Sequence, residues 1–295
     1  MNKILRLLKK PKFILLKLLH TRFFRIISDE NYVKLEYYLN LGRKLDLNKP
    51  KRYNDKLQWL KLNDRKDIYT EMVDKFAVRN IVEKTIGKEY LIPLLGVYND
   101  FDEINFEELP SQFVLKPNHT SGNVYICRNK SEINYNQLRR KVDKWMKRDY
   151  FWEHREWPYK NVDRKLVIEK LMVDESGTDL KDYKFFCFNG DAKFMFVAKD
   201  RSTSTKFNFY DSNFNKLPLK QHYPNFNDEL KKPISFEKMK YLAGKLSEGI
   251  PHVRVDFYEI NGEIYFGELT FYHFAGVEQF EPDEWDFKFG DLIEL

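Results

Sequence analysis

Residues 253–271 read VRVDFYEINGEIYFGELTF. Two alternating runs rich in β-branched and aromatic residues flank Asn261-Gly262, the pattern of paired antiparallel strands around a tight turn. Side chains two apart on a strand share a face, so Arg254 goes with Asp256 and Glu268 with Thr270. Whether these pairs meet depends on the turn. A two-residue Asn261-Gly262 turn sets residue 256 opposite 267 and sends Glu268 to the other face. A three-residue loop, Ile260-Asn261-Gly262, with Gly262 left-handed in a bulge, sets 256 opposite 266 and puts Asp256, Glu268 and Thr270 on one face. Glycine in the last loop position favours the second reading. Two acids converging among apolar residues are costly unless a cation neutralises them. Oxygen ligands of this sort suit Mg²⁺, which binds through one or two carboxylates plus substrate phosphates. Taken alone, the hairpin reads more simply as a solvated face with alternating charges.

Far upstream, residues 113–124 read FVLKPNHTSGNV. Here Lys116 ends an apolar run, and His119, Thr120, Ser121, Gly122 and Asn123 follow in a short polar loop. Such a loop can aim an ammonium and several backbone N–H groups at phosphate oxygens. It is not a Walker loop, because the lysine precedes the glycine.

Between and around these stretches the plan is α+β. Helical spacing runs from Tyr53 to about Lys84, YLIPLLGVY is extended, a basic helix spans about Asn134 to Arg148, and LVIEKLM is an apolar strand. DYKFFCFNGDAKFMFVAKD forms a second hairpin around Asn-Gly, and FEKMKYLAGKLSEGI a helix stopped near Gly249 and Pro251. The chain has 295 residues, 42% hydrophobic and 16% aromatic, enough for a sizeable core. Its net charge of +6 is mild, and no basic stripe with interleaved aromatics points to nucleic acid. Cys127 and Cys187 read as buried, reduced thiols. Residues 1–28 concentrate Lys and Arg among Leu, Ile and Phe and meet no acid before Asp29. They are too interrupted to span a bilayer, which takes about 20 apolar residues, but suit either a membrane surface or docking on the body, with a lean to the membrane.

Taken in order, RYNDKLQWLKL, DKFAVRNIVEKTIGKEYLIPLLGVYNDFDEI, FVLKPNHTSGNV, LVIEKLM, DYKFFCFNG and VRVDFYEINGEIYFGELTFY resemble the TupA-like ATP-grasp family of bacterial surface-polysaccharide biosynthesis, named for teichuronopeptide. The resemblance runs from about residue 45 to the C-terminus. It implies two α+β subdomains clamping a nucleotide: a basic helical segment over 1–45, a helical entry and lid over 46–170, and a large subdomain over 171–295. Lys75 and Lys116 match the lid lysines that reach nucleotide phosphates, with His119, Ser121 and Gly122 in the loop. Glu169, Lys170 and Leu171 match the strand that bonds adenine. Asp182 and Lys184 match the active-site floor, with Lys199 and Arg201 near the γ-phosphate or acceptor. Arg254 would neutralise the transferring phosphoryl group, and Asp256, Glu268 and Thr270 would hold Mg²⁺. Thr270 stands where many ATP-grasp enzymes carry Asn, and HFAG at 273–276 replaces an expected proline and small residues.

The family's chemistry is Mg-ATP-dependent carboxylate–amine ligation through an acyl phosphate, giving an amide. The expected acceptor is a carboxylate-bearing glycan or amino acid, and the expected location the cytoplasm, with residues 1–28 on the inner face of the membrane. One alternative is a nucleotide-sugar glycosyltransferase using Asp100-Phe101-Asp102 as a D-x-D metal motif; another is a non-catalytic, membrane-docked pathway protein. His20, His154, His222, His252 and His273 are scattered and give no site.

Overall fold

The computed structural model describes residues 11–173, 180–200 and 203–295. Strands β1 (Leu94–Tyr98), β2 (Phe113–Pro117), β3 (Tyr125–Cys127) and β4 (Leu166–Lys170) form one antiparallel sheet in the order β1-β4-β2-β3. Strands β5 (Asp182–Phe188), β6 (Asp191–Lys199), β7 (Lys206–Asp211), β9 (Val253–Ile260) and β10 (Glu263–Thr270) form a second, in the order β10-β9-β5-β6-β7. A short pair, β8 (Lys220–Gln221) with β11 (Phe280–Glu281), closes beside it.

Each sheet has its own core. The helix Tyr135–Met146, capped by Asn134, presents Leu138, Val142 and Trp145 to Phe113, Leu115, Leu166 and Ile168 of the four-stranded sheet. In the five-stranded sheet β5 is buried at every position, as a central strand covered on both faces must be. On one face Phe185 meets Phe236 of the helix Phe236–Leu246. That helix comes so close to the Asn189-Gly190 turn that a Cβ on Gly244 would lie 2.6 Å from the Gly190 carbonyl oxygen, so glycine alone fits. On the other face Phe186 meets Tyr53 and Phe289.

The helical stretch from Tyr53 resolves into three helices, Tyr53–Asn63, Ile68–Val73 and Val78–Thr85. By sequence they belong with the lid. Instead Tyr53, Leu57, Leu60, Tyr69, Val73, Val78 and Val82 bury in the core of the five-stranded sheet, because their apolar stripes face it. The basic N-terminal segment is likewise not one helix. Among the described residues it comprises Pro11–Leu19, a 3₁₀ turn Arg22–Ile26 and Asp29–Leu41, the last capped by Ser28 and stopped by left-handed Gly42. Leu19 packs with Tyr32, Val33 and Leu39, while Phe23 and Ile26 stay 85% and 92% exposed. No helix among the described residues is long and apolar enough to cross a membrane.

His252 sits in the large core, where its Nδ1–H donates to the Cys187 carbonyl at 2.9 Å and its Nε2 accepts from the Tyr53 hydroxyl at 2.8 Å. Burial depresses its pKa from 6.5 to about 3, aided by Arg254, although the Cys187 carbonyl opposes this. The unfolded imidazole takes up a proton near pH 6.5 and the folded one resists it. The stability it contributes is therefore present above pH 6.5 and lost as pH falls toward about 3. Urea titrations should show His252→Gln less stable at pH 8 but with a shallower loss of stability between pH 6.5 and 4.

Candidate active site

The decisive hairpin reaches its geometry by a route the sequence reading did not favour. Asn261 and Gly262, with φ of 54° and 85°, make a two-residue turn, and Ile260 faces Glu263 directly. That register carried on would send Glu268 to the wrong face. It does not carry on, because the ladder slips between Phe266 and Glu268, and Gly267 is the extra residue of a β-bulge. Asp256 therefore faces Glu268, and Arg254 faces Thr270. The bulge suits glycine: a Cβ there would lie 3.1 Å from the Asp256 carbonyl oxygen.

Across the other edge of β9, Lys184 pairs with Asp256, so three strand pairings deliver one polar cluster. Arg254 donates from Nε and Nη2 to the two Asp256 oxygens at 2.7 and 2.8 Å, and from Nη2 to Thr270 Oγ1 at 3.0 Å. Glu268 Oε1 lies 3.4 Å from the same Nη2. The Lys184 ammonium bonds Asp256 and lies 3.4 Å from Asp182. Burial pushes the Asp256 carboxyl up, but Arg254 and Lys184 outweigh it and hold the pKa below the usual range. Burial likewise disfavours the Arg254 cation, and Asp256 with Glu268 more than restores it.

The cluster also contains a residue that sequence reasoning passed over. Arg254 Nη1 donates to His273 Nδ1 at 2.7 Å, which leaves the proton on Nε2 to donate to Gln221 Oε1 at 3.0 Å. Burial, then Arg254, keeps this imidazole neutral by driving its pKa far down. The position of His273, three residues past Thr270, was the available signal; Gln221 carried none.

His273 opens the HFAG turn, in which Phe274, Ala275 and Gly276 all adopt positive φ of 46°, 53° and 63°. Non-glycine residues in that region are strained and persist only where their surroundings hold them. One helix supplies the hold. Asn54 Nδ2 donates to the Glu278 carbonyl at 2.9 Å, Gln58 Nε2 to those of Ala275 and Gly276 at 2.9 and 2.8 Å, and Lys61 Nζ to that of Ala275 at 2.7 Å. These residues lie at helical spacing on one face, which gives NDKLQWLK a physical reason. Gln58→Ala strands the Gly276 carbonyl on a strained turn, leaves that of Ala275 to Lys61 alone, and should cost about 1–3 kcal/mol in urea unfolding.

The lid side approaches this floor at Lys75, whose charge Glu268 favours. Lys116 Nζ is 2.6 Å from Glu169 Oε2, and Arg79 reaches Oε1 of the same carboxylate at 3.4 Å. The Lys75 ammonium bonds the Thr120 carbonyl, fixing it against the polar loop. Burial lowers the Lys75 pKa and Lys116 adds to this, while Glu268 of the floor and Glu169 raise it. Lys75 thus feels both sheets. His119 and Thr120 are buried, Ser121 is half-buried, and Gly122 is exposed with φ of 75°. The loop is braced by Asn118, which bonds Asp163 and Lys165, and by Arg148, which donates to Asn123 Oδ1 at 2.6 Å.

Several residues singled out in the sequence have partners of their own. The Lys170 N–H already donates to the Pro93 carbonyl at 3.0 Å, so it is committed to the sheet rather than offered to adenine, and its side chain is exposed. Leu171 is half-buried just past β4. Glu169 spends its carboxylate on Lys116 and Arg79. Lys199, expected near the γ-phosphate or the acceptor, forms an exposed pair with Asp228 at 2.8 Å, and Arg201 lies outside the described residues. The D-x-D residues serve local structure: Asp100 accepts from the Asp102 N–H at 2.8 Å, and Asp102 pairs with Arg139.

The profile of the TupA-like ATPgrasp family matches residues 55–294. The chain belongs to the TupA-like ATP-grasp family. No curated protein matches it. Its fold is similar to that of D-alanine–D-alanine ligase from Bacillus anthracis complexed with ATP, at 17% identity and a TM-score of 0.38, over 65% of this chain and 52% of that one. The Helicobacter pylori D-alanine–D-alanine ligase gives 15% and 0.42, over 83% and 70%. D-cycloserine synthetase gives 12% and 0.42, over 75% and 69%. This TupA-like chain therefore spans about half the length of the Bacillus anthracis ligase. The two mixed α+β halves are those of an ATP-grasp fold.

Within that fold the donor set fits a hard divalent cation. Asp256 accepts N–H bonds from Arg254 and Lys184, which leaves about one of its four acceptor sites. Glu268 faces it with a side chain 34% exposed, and the Thr270 hydroxyl lies one pairing along. Oxygen donors so arranged suit Mg²⁺ better than a softer metal.

Proposed function

We propose that this TupA-like protein is an Mg-ATP-dependent carboxylate–amine ligase. The observation that carries the reading is the approach of two charged groups of residues, Lys75 and Lys116 on the lid and Arg254, Lys184, Asp256 and Glu268 on the floor, with Glu268 close enough to Lys75 to favour its cation. Such an arrangement binds a polyphosphate between cations while oxygen donors hold its metal.

In the proposed reaction a substrate carboxylate oxygen attacks the γ-phosphorus of ATP, the bond to the bridging oxygen breaks, and ADP leaves. An amine then attacks the acyl carbon, phosphate leaves, a proton is lost from nitrogen, and an amide forms. Mg²⁺ held by Asp256, Glu268 and Thr270 would neutralise phosphate charge. The chain's own part is positioning and electrostatics. Arg254, kept cationic by Asp256 and held in direction by neutral His273, meets charge that grows on the transferring phosphoryl group. Lys116 and Lys75 steady the nucleotide phosphates, with the N–H groups of the loop through His119, Ser121 and Gly122. Lys184 and Asp182 line the acceptor side. Glu169, Lys170 and Leu171 border the adenine position, through groups other than the Lys170 N–H.

The proposed acceptor is a carboxylate on a cell-surface glycan or amino acid, met at the cytoplasmic face, with the exposed Phe23 and Ile26 beside Arg22 as the membrane-facing part of the N-terminal segment. Lid and catalytic halves would divide near residue 170, with the helices of 53–85 joined to the second. The test is hydroxylamine trapping. With Mg-ATP and a panel of uronic and amino acids, acyl phosphate should appear as hydroxamate with equal ADP release. ADP release with no hydroxamate from any carboxylate would refute the ligase chemistry.

A further inference from the structure

We infer that this chain carries a second metal site, for Zn²⁺ or a similar borderline cation, built from His20, Glu36 and His154 and distinct from the floor cluster. One ligand atom from each lies within 4.8 Å of the others. They come from three separate pieces of chain: the end of the first helix, the middle of Asp29–Leu41, and the short helix Phe151–His154.

The geometry argues for a metal rather than for hydrogen bonding alone. His154 Nδ1 lies 2.7 Å and His20 Nε2 3.4 Å from the same oxygen, Glu36 Oε1. The other oxygen, Oε2, is buried with no hydrogen-bond partner among the described residues. A carboxylate buried to accept hydrogen bonds would use both oxygens. Here both imidazoles converge on one oxygen and the second has no partner, so hydrogen bonds leave the buried carboxylate half-used, and a cation shared by the three groups would neutralise it. Two His and one Glu is a zinc donor set with a fourth position left open, and Zn–N and Zn–O bonds of about 2.0–2.2 Å put tetrahedral ligand atoms about 3.3 Å apart. The His20–Glu36 separation already matches; His154 needs to move by roughly half an ångström. Access is available, since the side chains of His20 and His154 are 32% and 26% exposed while that of Glu36 is 1% exposed.

The surroundings support a rigid site. Next to His154, Arg155 is fully buried, stacks over Tyr32 at 4.1 Å and Trp152 at 4.4 Å, and donates to the Phe24 carbonyl at 3.1 Å. Lys61 donates to the His154 carbonyl at 3.0 Å; burial lowers its pKa, opposed first by Glu36 itself and then by Glu156. The metal would fasten the end of the first helix to the body through His20, beside the packing of Leu19 on Tyr32, Val33 and Leu39.

The experiment uses the untagged full chain, Zn²⁺ by calorimetry and Co²⁺ by visible absorption, with His20→Ala and Glu268→Gln alongside wild type. The His20 side chain is about one-third exposed and belongs to the core of neither sheet, so its variant keeps the fold. The expected result is one saturable equivalent in wild type and in Glu268→Gln, with tetrahedral Co²⁺ bands, and binding at least about tenfold weaker in His20→Ala. Equal affinity in His20→Ala, no saturable binding to wild type, or loss in Glu268→Gln alone would each overturn the inference.

Discussion

Asp256→Asn is expected to abolish Mg²⁺-dependent ATP binding and to lower stability by about 3–5 kcal/mol, the range for removing one partner of a buried ion pair. The carboxylate is 1% exposed and meets Arg254 and Lys184 at once, so the amide leaves two buried cations facing one another. Loss of fold and loss of metal must be told apart. Asp256→Asn with Lys184→Met removes one of those cations along with the acid. The double variant should recover part of the stability in urea unfolding while ATP binding stays insensitive to Mg²⁺. Retained Mg²⁺-dependent binding in either variant would remove Asp256 from the metal site.

Arg254→Lys should lower turnover by about 10²–10³-fold with little change in the KM for ATP, the size of effect seen when one preorganised donor to developing charge is lost. Charge is conserved in this variant, but geometry is not. A lysine offers one ammonium where the guanidinium spans both Asp256 oxygens, Thr270 Oγ1 and His273 Nδ1. His273→Ala should shift turnover in the same direction by less, since the imidazole acts through Arg254. Steady-state kinetics on the acceptor identified by hydroxamate trapping would check both. Turnover of Arg254→Lys within about tenfold of wild type would mean the guanidinium acts as structure only.

Much of the fold was legible because strand alternation and Asn-Gly turns are local signals. The two hairpins, the helix Phe236–Leu246 and the basic helix Tyr135–Met146 follow from side-chain period and turn chemistry. The face shared by Asp256, Glu268 and Thr270 was anticipated through a three-residue loop. It arises instead from a bulge at Gly267, five residues past Gly262, where the bulge was expected. Nothing local marks a bulge inside a strand except the glycine itself. Lys199 and the Lys170 N–H were assigned by resemblance, and what they touch, Asp228 and Pro93, is fixed by tertiary placement. The helices of 53–85 show the same limit from the other side. Their apolar stripes announce that they pack, but not on which sheet. His273, Gln221 and the row Asn54, Gln58 and Lys61 were invisible for that reason: their partners are backbone carbonyls and a guanidinium far away in sequence.

The central claim is that the cleft between lid and floor binds a nucleoside triphosphate with its metal. Calorimetric titration of wild-type protein with ATP, and separately with UDP-sugars, each with Mg²⁺ and with EDTA, tests it most directly. Saturable binding of ATP that needs Mg²⁺, weakened by Lys116→Met and absent with UDP-sugars, is the predicted result. Binding of a UDP-sugar with none of ATP would contradict it.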